Sequence, residues 1–101
     1  MKDNKTVIIT GGGTGIGKGI ALKLAKNNYN VILASRNVSN LEKVKNECLK
    51  YISSDQILIL KTDVTDIDSV KSLFSNTIKK FGRLDVLVNN AGVFDGGPID
   101  E

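Results

Sequence analysis

Apolar residues follow two alternating rhythms along this chain. Short, nearly continuous apolar runs lie at Thr6–Thr10, Asn30–Ser35, 56–62 and 85–89, with Ile57-Leu58-Ile59-Leu60 the clearest stretch. Runs of this kind predict strands buried on both faces, as in a parallel sheet covered by helices. Between them, apolar residues recur at spacings of three and four over 15–27, 38–52 and 66–81, which predicts amphipathic helices. Leu41, Val44, Cys48 and Ile52 mark one face of the second helix, and Ile67, Val70, Phe74, Ile78 and Phe81 one face of the third. Asn27-Asn28 and Gly82 follow the first and third helices, where a left-handed residue closes the last turn. The alternation predicts an α/β fold, a doubly wound parallel sheet opening with a right-handed βαβ unit.

Composition narrows the picture by exclusion. With 101 residues the chain makes at most one small domain, and 41% apolar with 25% charged residues is ordinary for a soluble globular protein. No apolar run approaches the roughly 18 residues that cross a bilayer. The polar start, Met1-Lys2-Asp3-Asn4-Lys5, leads at once into a strand, so a cytoplasmic protein is expected. Lysines are scattered at a net charge of +3 and aromatics are 5% of residues, which argues against a nucleic-acid surface. Histidine is absent, removing His-based acid–base chemistry and most zinc sites. The lone Cys48 falls at an apolar helical position, where a buried structural thiol is expected.

A sheet of this type binds ligands at the carboxyl ends of its strands, and the unusual residues gather there. Thr10-Gly11-Gly12-Gly13-Thr14-Gly15-Ile16-Gly17 follows the first strand, Ser35-Arg36 the second, Asp63 the third and Asn89-Asn90-Ala91-Gly92 the fourth. A helix start offers unpaired N–H groups and partial positive charge, so a phosphate can sit there if no Cβ blocks its approach. Glycine at Gly11, Gly15 and Gly17 meets that condition. Two phosphate loops compete for these residues. Gly12 through Lys18 fits the spacing of a nucleotide-triphosphatase loop, but Gly19 stands where that loop needs a hydroxyl for Mg²⁺. The dinucleotide reading fits better, although the residues spell T-G-x-x-x-G-x-G rather than G-x-G-x-x-G.

At this point the chain resembles the short-chain dehydrogenase/reductase family, over essentially all of its length. The resemblance rests on Thr10-Gly11-x-x-x-Gly15-Ile16-Gly17, Asp63-Val64 and Asn89-Asn90-Ala91-Gly92, in order and each after a predicted strand. It implies a partial Rossmann-like sheet of four strands in the order 3-2-1-4 with three helices. It further implies that Gly11, Gly15 and Gly17 frame a pyrophosphate, with Gly13, Thr14 and Ile16 in the same turn beside the cofactor. Asp63 would accept from the adenine amino group, with Val64 near the ring. Asn89, Asn90, Ala91 and Gly92 would line the adenosine side, one of the asparagines also tying the central strands together. A turn or cap role for Asp63, and a purely structural one for Asn89-Asn90, are the plainer alternatives.

The ribose selector belongs at the end of the second strand, roughly 20 residues after the glycine loop. An NAD site places an acid there, but Ala34-Ser35-Arg36-Asn37 supplies none. Ser35 can donate to a 2′-phosphate and Arg36 can pair with it, with Asn37 as a possible helper. NADP(H) is therefore expected, with NAD(H) the lesser alternative and Arg36 as a plain surface cation the competing account.

Proteins of the family move a hydride between nicotinamide and a carbonyl or alcohol, using a tyrosine, a lysine four residues later, a serine and an asparagine. None of these can be placed here: Leu33 stands four after Tyr29, and Asp55 four after Tyr51. Residues 1–101 are expected to be the N-terminal part of one NAD(P)-binding domain, ending before the catalytic segment and inactive alone. The complete enzyme would act on a small carbonyl or alcohol as a homo-oligomer, without metal, nucleic acid or membrane. The competing reading is a non-catalytic dinucleotide-binding module or subunit. Val86-Leu87-Val88 would form an edge strand, apolar on both faces, and 93–101 reads as a loop.

Overall fold

The computed structural model describes residues 3–13 and 15–90 in full and, beyond them, the backbone of 93–94 and 97–98. The elements run β1 (Thr6–Thr10), α1 (Gly15–Lys26), β2 (Asn30–Ser35), α2 (Val38–Cys48), β3 (Ile57–Lys61), α3 (Ile67–Phe81) and β4 (Val86–Asn89). These four strands pair in parallel, in the order β3-β2-β1-β4. Within 93–101, read from sequence as a loop, β5 (Val93–Phe94) and β6 (Gly97–Pro98) form a short antiparallel pair.

Strand side chains alternate between the two faces of the sheet, and both faces are apolar. Val7, Ile9, Val31, Leu33 and Ile57 pack with Ala21 and Ala25 of α1 and Leu41, Val44 and Cys48 of α2. Ile8, Ile32 and Ala34 pack on the other side with Leu73 and Phe81 of α3. A fully buried Val, Leu or Ile stabilises the fold by about 1.5–3 kcal/mol, which is why β1, with every residue buried, anchors the sheet. Cys48 is buried as expected, and burial, aided by the nearby Glu47 carboxylate, pushes its thiol up to about 11.

The helices depart from their predicted form in two places. The second was expected to reach Ile52, but α2 stops at Cys48, after which Lys50 N–H bonds to Glu47 O and Tyr51 N–H to Cys48 O, three residues back rather than four, so the last turn tightens out of the α-helix. Ile52 stays buried without being helical, so the apolar period outlasts the helix. On α3 the inner face is rotated from the expected one. Leu73, Thr77 and Phe81 are buried, with Val70 and Phe74 partly so, whereas Ile67 and Ile78 are 69% and 49% exposed. Thr77 can occupy a core position because its hydroxyl donates to Leu73 O at 2.8 Å, which satisfies its polarity locally. Helix ends follow the capping expectation: Asn28 and Gly82 adopt φ of 65° and 75°. No helix among the described residues is long and apolar enough to cross a membrane.

Candidate functional site

Where β1, β2 and β3 end, a cleft of about 500 Å³ opens, lined by Gly11, Ala34, Ser35, Arg36, Asn37, Thr62, Asp63, Val64, Thr65 and Asn90. Of the residues singled out from sequence, Gly11, Ser35, Arg36, Asn37, Asp63, Val64 and Asn90 meet there. Gly13, Gly15, Ile16 and Gly17 lie in the adjoining turn or the first turn of α1 without lining the cleft. Thr14, Ala91 and Gly92 fall outside the described residues. Among the described residues no group of three His, Cys, Asp or Glu side chains could hold a metal ion.

The glycines of the loop serve different purposes. Gly11 turns the chain at φ 69°, its N–H donating to Ala34 O at 2.7 Å. A Cβ on Gly17 would meet Gly11 O at 2.6 Å and Asn90 Nδ2 at 2.8 Å, so the loop folds too closely over α1 for any side chain there. A Cβ on Gly13 would meet Asn40 Cβ at 2.8 Å, whereas one on Gly15 would meet no described residue within 4 Å. Open approach, the expected reason for all three motif glycines, therefore describes Gly15; backbone conformation explains Gly11 and internal packing explains Gly17. Asn90 locks this arrangement by donating from Nδ2 to Gly11 O at 3.2 Å and from its N–H to Thr10 Oγ1 at 3.1 Å. The Thr10 hydroxyl in turn donates to Asn89 Oδ1 at 3.1 Å, so it joins the ends of β1 and β4.

At the end of β2, Ser35 Oγ accepts from Asn37 N–H at 3.1 Å, which leaves the Ser35 hydroxyl proton to donate. Asn37 caps α2: its Oδ1 accepts from Ser39 Oγ at 2.8 Å and from Asn40 N–H at 3.3 Å. Its side-chain oxygen is thus committed to the helix. Arg36 is exposed and makes no hydrogen bond or ion pair with a described residue. Beyond β3, Asp63 Oδ1 accepts from Thr65 Oγ1 at 2.6 Å and from Thr65 N–H at 2.9 Å. Those two bonds, with a smaller contribution from the Arg36 cation, hold the Asp63 carboxyl below the ordinary carboxylate range. Sequence reasoning did not single out Thr62 or Thr65 on the cleft wall, nor Thr10 as the joint. For Thr65 a signal exists, because an Asp side chain that ends a strand readily accepts from the backbone N–H two residues on.

Residues 5–101 match the family model for short chain dehydrogenases. A dehydrogenase/reductase SDR family protein 7-like from Dictyostelium discoideum is 41% identical over 92 residues, covering 88% of this chain and 29% of that protein. The glucose dehydrogenase of Caenorhabditis elegans superposes with a TM-score of 0.82 at 34% identity, over 85% of this chain and 37% of that one. An actinorhodin polyketide ketoreductase variant solved with NADPH superposes at 0.83 with 28% identity, over 92% and 35%. The chain spans about a third of the length of these proteins.

Proposed function

Since this chain belongs to the short-chain dehydrogenase/reductase family, we propose that its cleft is the NADP(H) site of an oxidoreductase acting on a small carbonyl or alcohol. The hydride chemistry is the cofactor's own when bound, and the residues of this chain bind, orient and select it. The observation that carries the choice of cofactor is Arg36: an exposed guanidinium on the cleft wall, without an ion-pair partner among the described residues, beside a Ser35 hydroxyl with a proton to donate. A 2′-phosphate would take charge-assisted bonds from both. An acid at this position would instead accept from ribose hydroxyls, and none stands there. The open space at Gly15 and the start of α1 suit a pyrophosphate. The ketoreductase neighbour solved with NADPH points the same way.

In this reading residues 1–101 supply the cofactor-binding part. Tyr29 and Tyr51, without a lysine four residues on, hold no acid–base role. The substrate groups and the acid–base residues belong to the remainder of such an enzyme, which would work as a homo-oligomer. Calorimetric titration with NADPH and NADH tests the cofactor choice. Wild-type protein is expected to favour NADPH by about tenfold or more, the worth of one charge-assisted contact. Ser35→Asp should bring NADH to parity or better, by repelling the phosphate and accepting from the ribose. A ratio unmoved by S35D, or a wild type that binds neither nucleotide, overturns the proposal.

A further inference from the structure

We propose that Thr65 is a positioning residue for purine recognition, fixing Asp63 so that its second carboxylate oxygen accepts from the amino group of an adenine. The inference rests on reading the cleft as a dinucleotide site and adds a residue that the sequence motif does not contain.

Asp63 is held from two directions. Its N–H donates to Ser69 Oγ at 2.9 Å, which ties the backbone to the first turns of α3. Its Oδ1 accepts from both the hydroxyl and the N–H of Thr65. The other oxygen, Oδ2, has no hydrogen bond to a described residue. Asp63, Val64 and Thr65 all line the cleft, on the wall shared with Arg36.

An ionised carboxylate can accept hydrogen bonds and cannot donate one. Adenine presents a donor at position six, and a six-keto purine such as hypoxanthine presents an acceptor there, as guanine does. A carboxylate fixed in orientation and kept ionised therefore attracts the first and repels the second. With both bonds on Oδ1, Thr65 sets that orientation and favours the ionised form. Thr65 is itself exposed, so replacing it leaves the core untouched.

The test is a titration of the full chain with NADPH and with its hypoxanthine analogue, for wild type, Thr65→Val and Thr65→Ser. Wild type is expected to prefer the adenine nucleotide by about tenfold, with T65V reducing this to about twofold and T65S restoring it. The NADPH-to-NADH ratio should stay unchanged in T65V, which a general loosening of the cleft would not allow. Retention of the purine preference in T65V, or its loss in T65S as well, overturns the role of Thr65. Equal binding of both purines by wild type overturns it too while leaving a dinucleotide site in place. Failure of wild type to bind any of these nucleotides overturns both readings.

Discussion

The two faces of the sheet are built from neighbouring residues of the same strands, yet they are closed to different degrees. On the Val7 face, Val7, Ile9, Val31 and Leu33 are fully buried beneath α1 and α2, with Ile59 and Val88 of the outer strands partly covered and Val86 36% exposed. On the Ile8 face, Ile8, Ile32 and Ala34 are fully buried against α3, but Leu58, Leu60 and Leu84 are partly covered. Leu87, beside Ile8 in the register, is 50% exposed, next to an apolar groove of about 120 Å³ that also involves Val70 and Phe74. The strands are equally apolar on both sides. Among the described residues, what differs is the covering: two helices on one face and one on the other. Burial in a parallel sheet is set by what the crossovers lay upon it. The candidate site follows the same division, since the glycine loop and Ser35-Arg36-Asn37 begin the crossovers to α1 and α2, while Asp63 and Thr65 begin the one to α3.

The largest expected effect tests that difference directly. Leu33→Ala, in the closed face, should cost about 2–5 kcal/mol of unfolding free energy, a large share of the about 5–15 kcal/mol available to a domain. Leu60→Ala, a partly covered residue of the same type on the other face, should cost about half as much or less. Urea midpoints of the two variants decide it. Equal losses would mean that α3 covers its face as completely as α1 and α2 cover theirs.

A smaller effect concerns how the exposed edge stays attached. Among the described strands β4 pairs with β1 alone, and Asp85 pins its start. The carboxylate accepts from Arg83 Nε at 2.8 Å, from Arg83 Nη2 at 2.6 Å and from Thr6 N–H at 2.8 Å. The Arg83 bonds first, then the Thr6 bond, hold its carboxyl below the ordinary value. A carboxyl depressed in the folded state adds stability above its unfolded pKa of about 3.9, and that stability is lost as pH falls through the folded value. Wild type should therefore exceed Asp85→Asn in urea midpoint at about pH 6, and the gap should close progressively below about pH 4. A gap independent of pH would show that the carboxylate does not pin the edge through its charge.

The central strands were the most legible elements in the sequence. β1 and β2 fall where the apolar runs place them, because strands covered on both sides carry no polar interruptions to blur their ends. The inner face of α3 was misplaced because Thr77 satisfies its own hydroxyl inside the helix, so a polar residue sits where the period asks for Ile78. At the site, the residues that end strands were visible as breaks in the pattern. Their partners were not. Gly17 is explained by Asn90, Gly13 by Asn40 and Asp63 by Thr65; the first two pairings join distant parts of the chain and exist only once the sheet has formed.

The smallest effect is the sharpest test of the open face. Leu87 is a large apolar residue on an edge strand, with half of its surface already in water. A lysine there keeps its aliphatic stem against the groove and its ammonium in solvent, a common device on natural edge strands. Leu87→Lys should therefore leave the urea midpoint nearly unchanged and the unfolding free energy within about 0.5 kcal/mol, as for other exposed substitutions. The same change at Ile8, the neighbour of Leu87 on β1, would bury an unpaired charge and unfold the chain. Residues side by side on one face would then differ by most of the stability of the fold, one on a covered central strand and the other on a half-covered edge strand. If Leu87→Lys instead unfolded the chain, β4 would be closed in solution, and the unequal faces would describe the isolated chain rather than its working state.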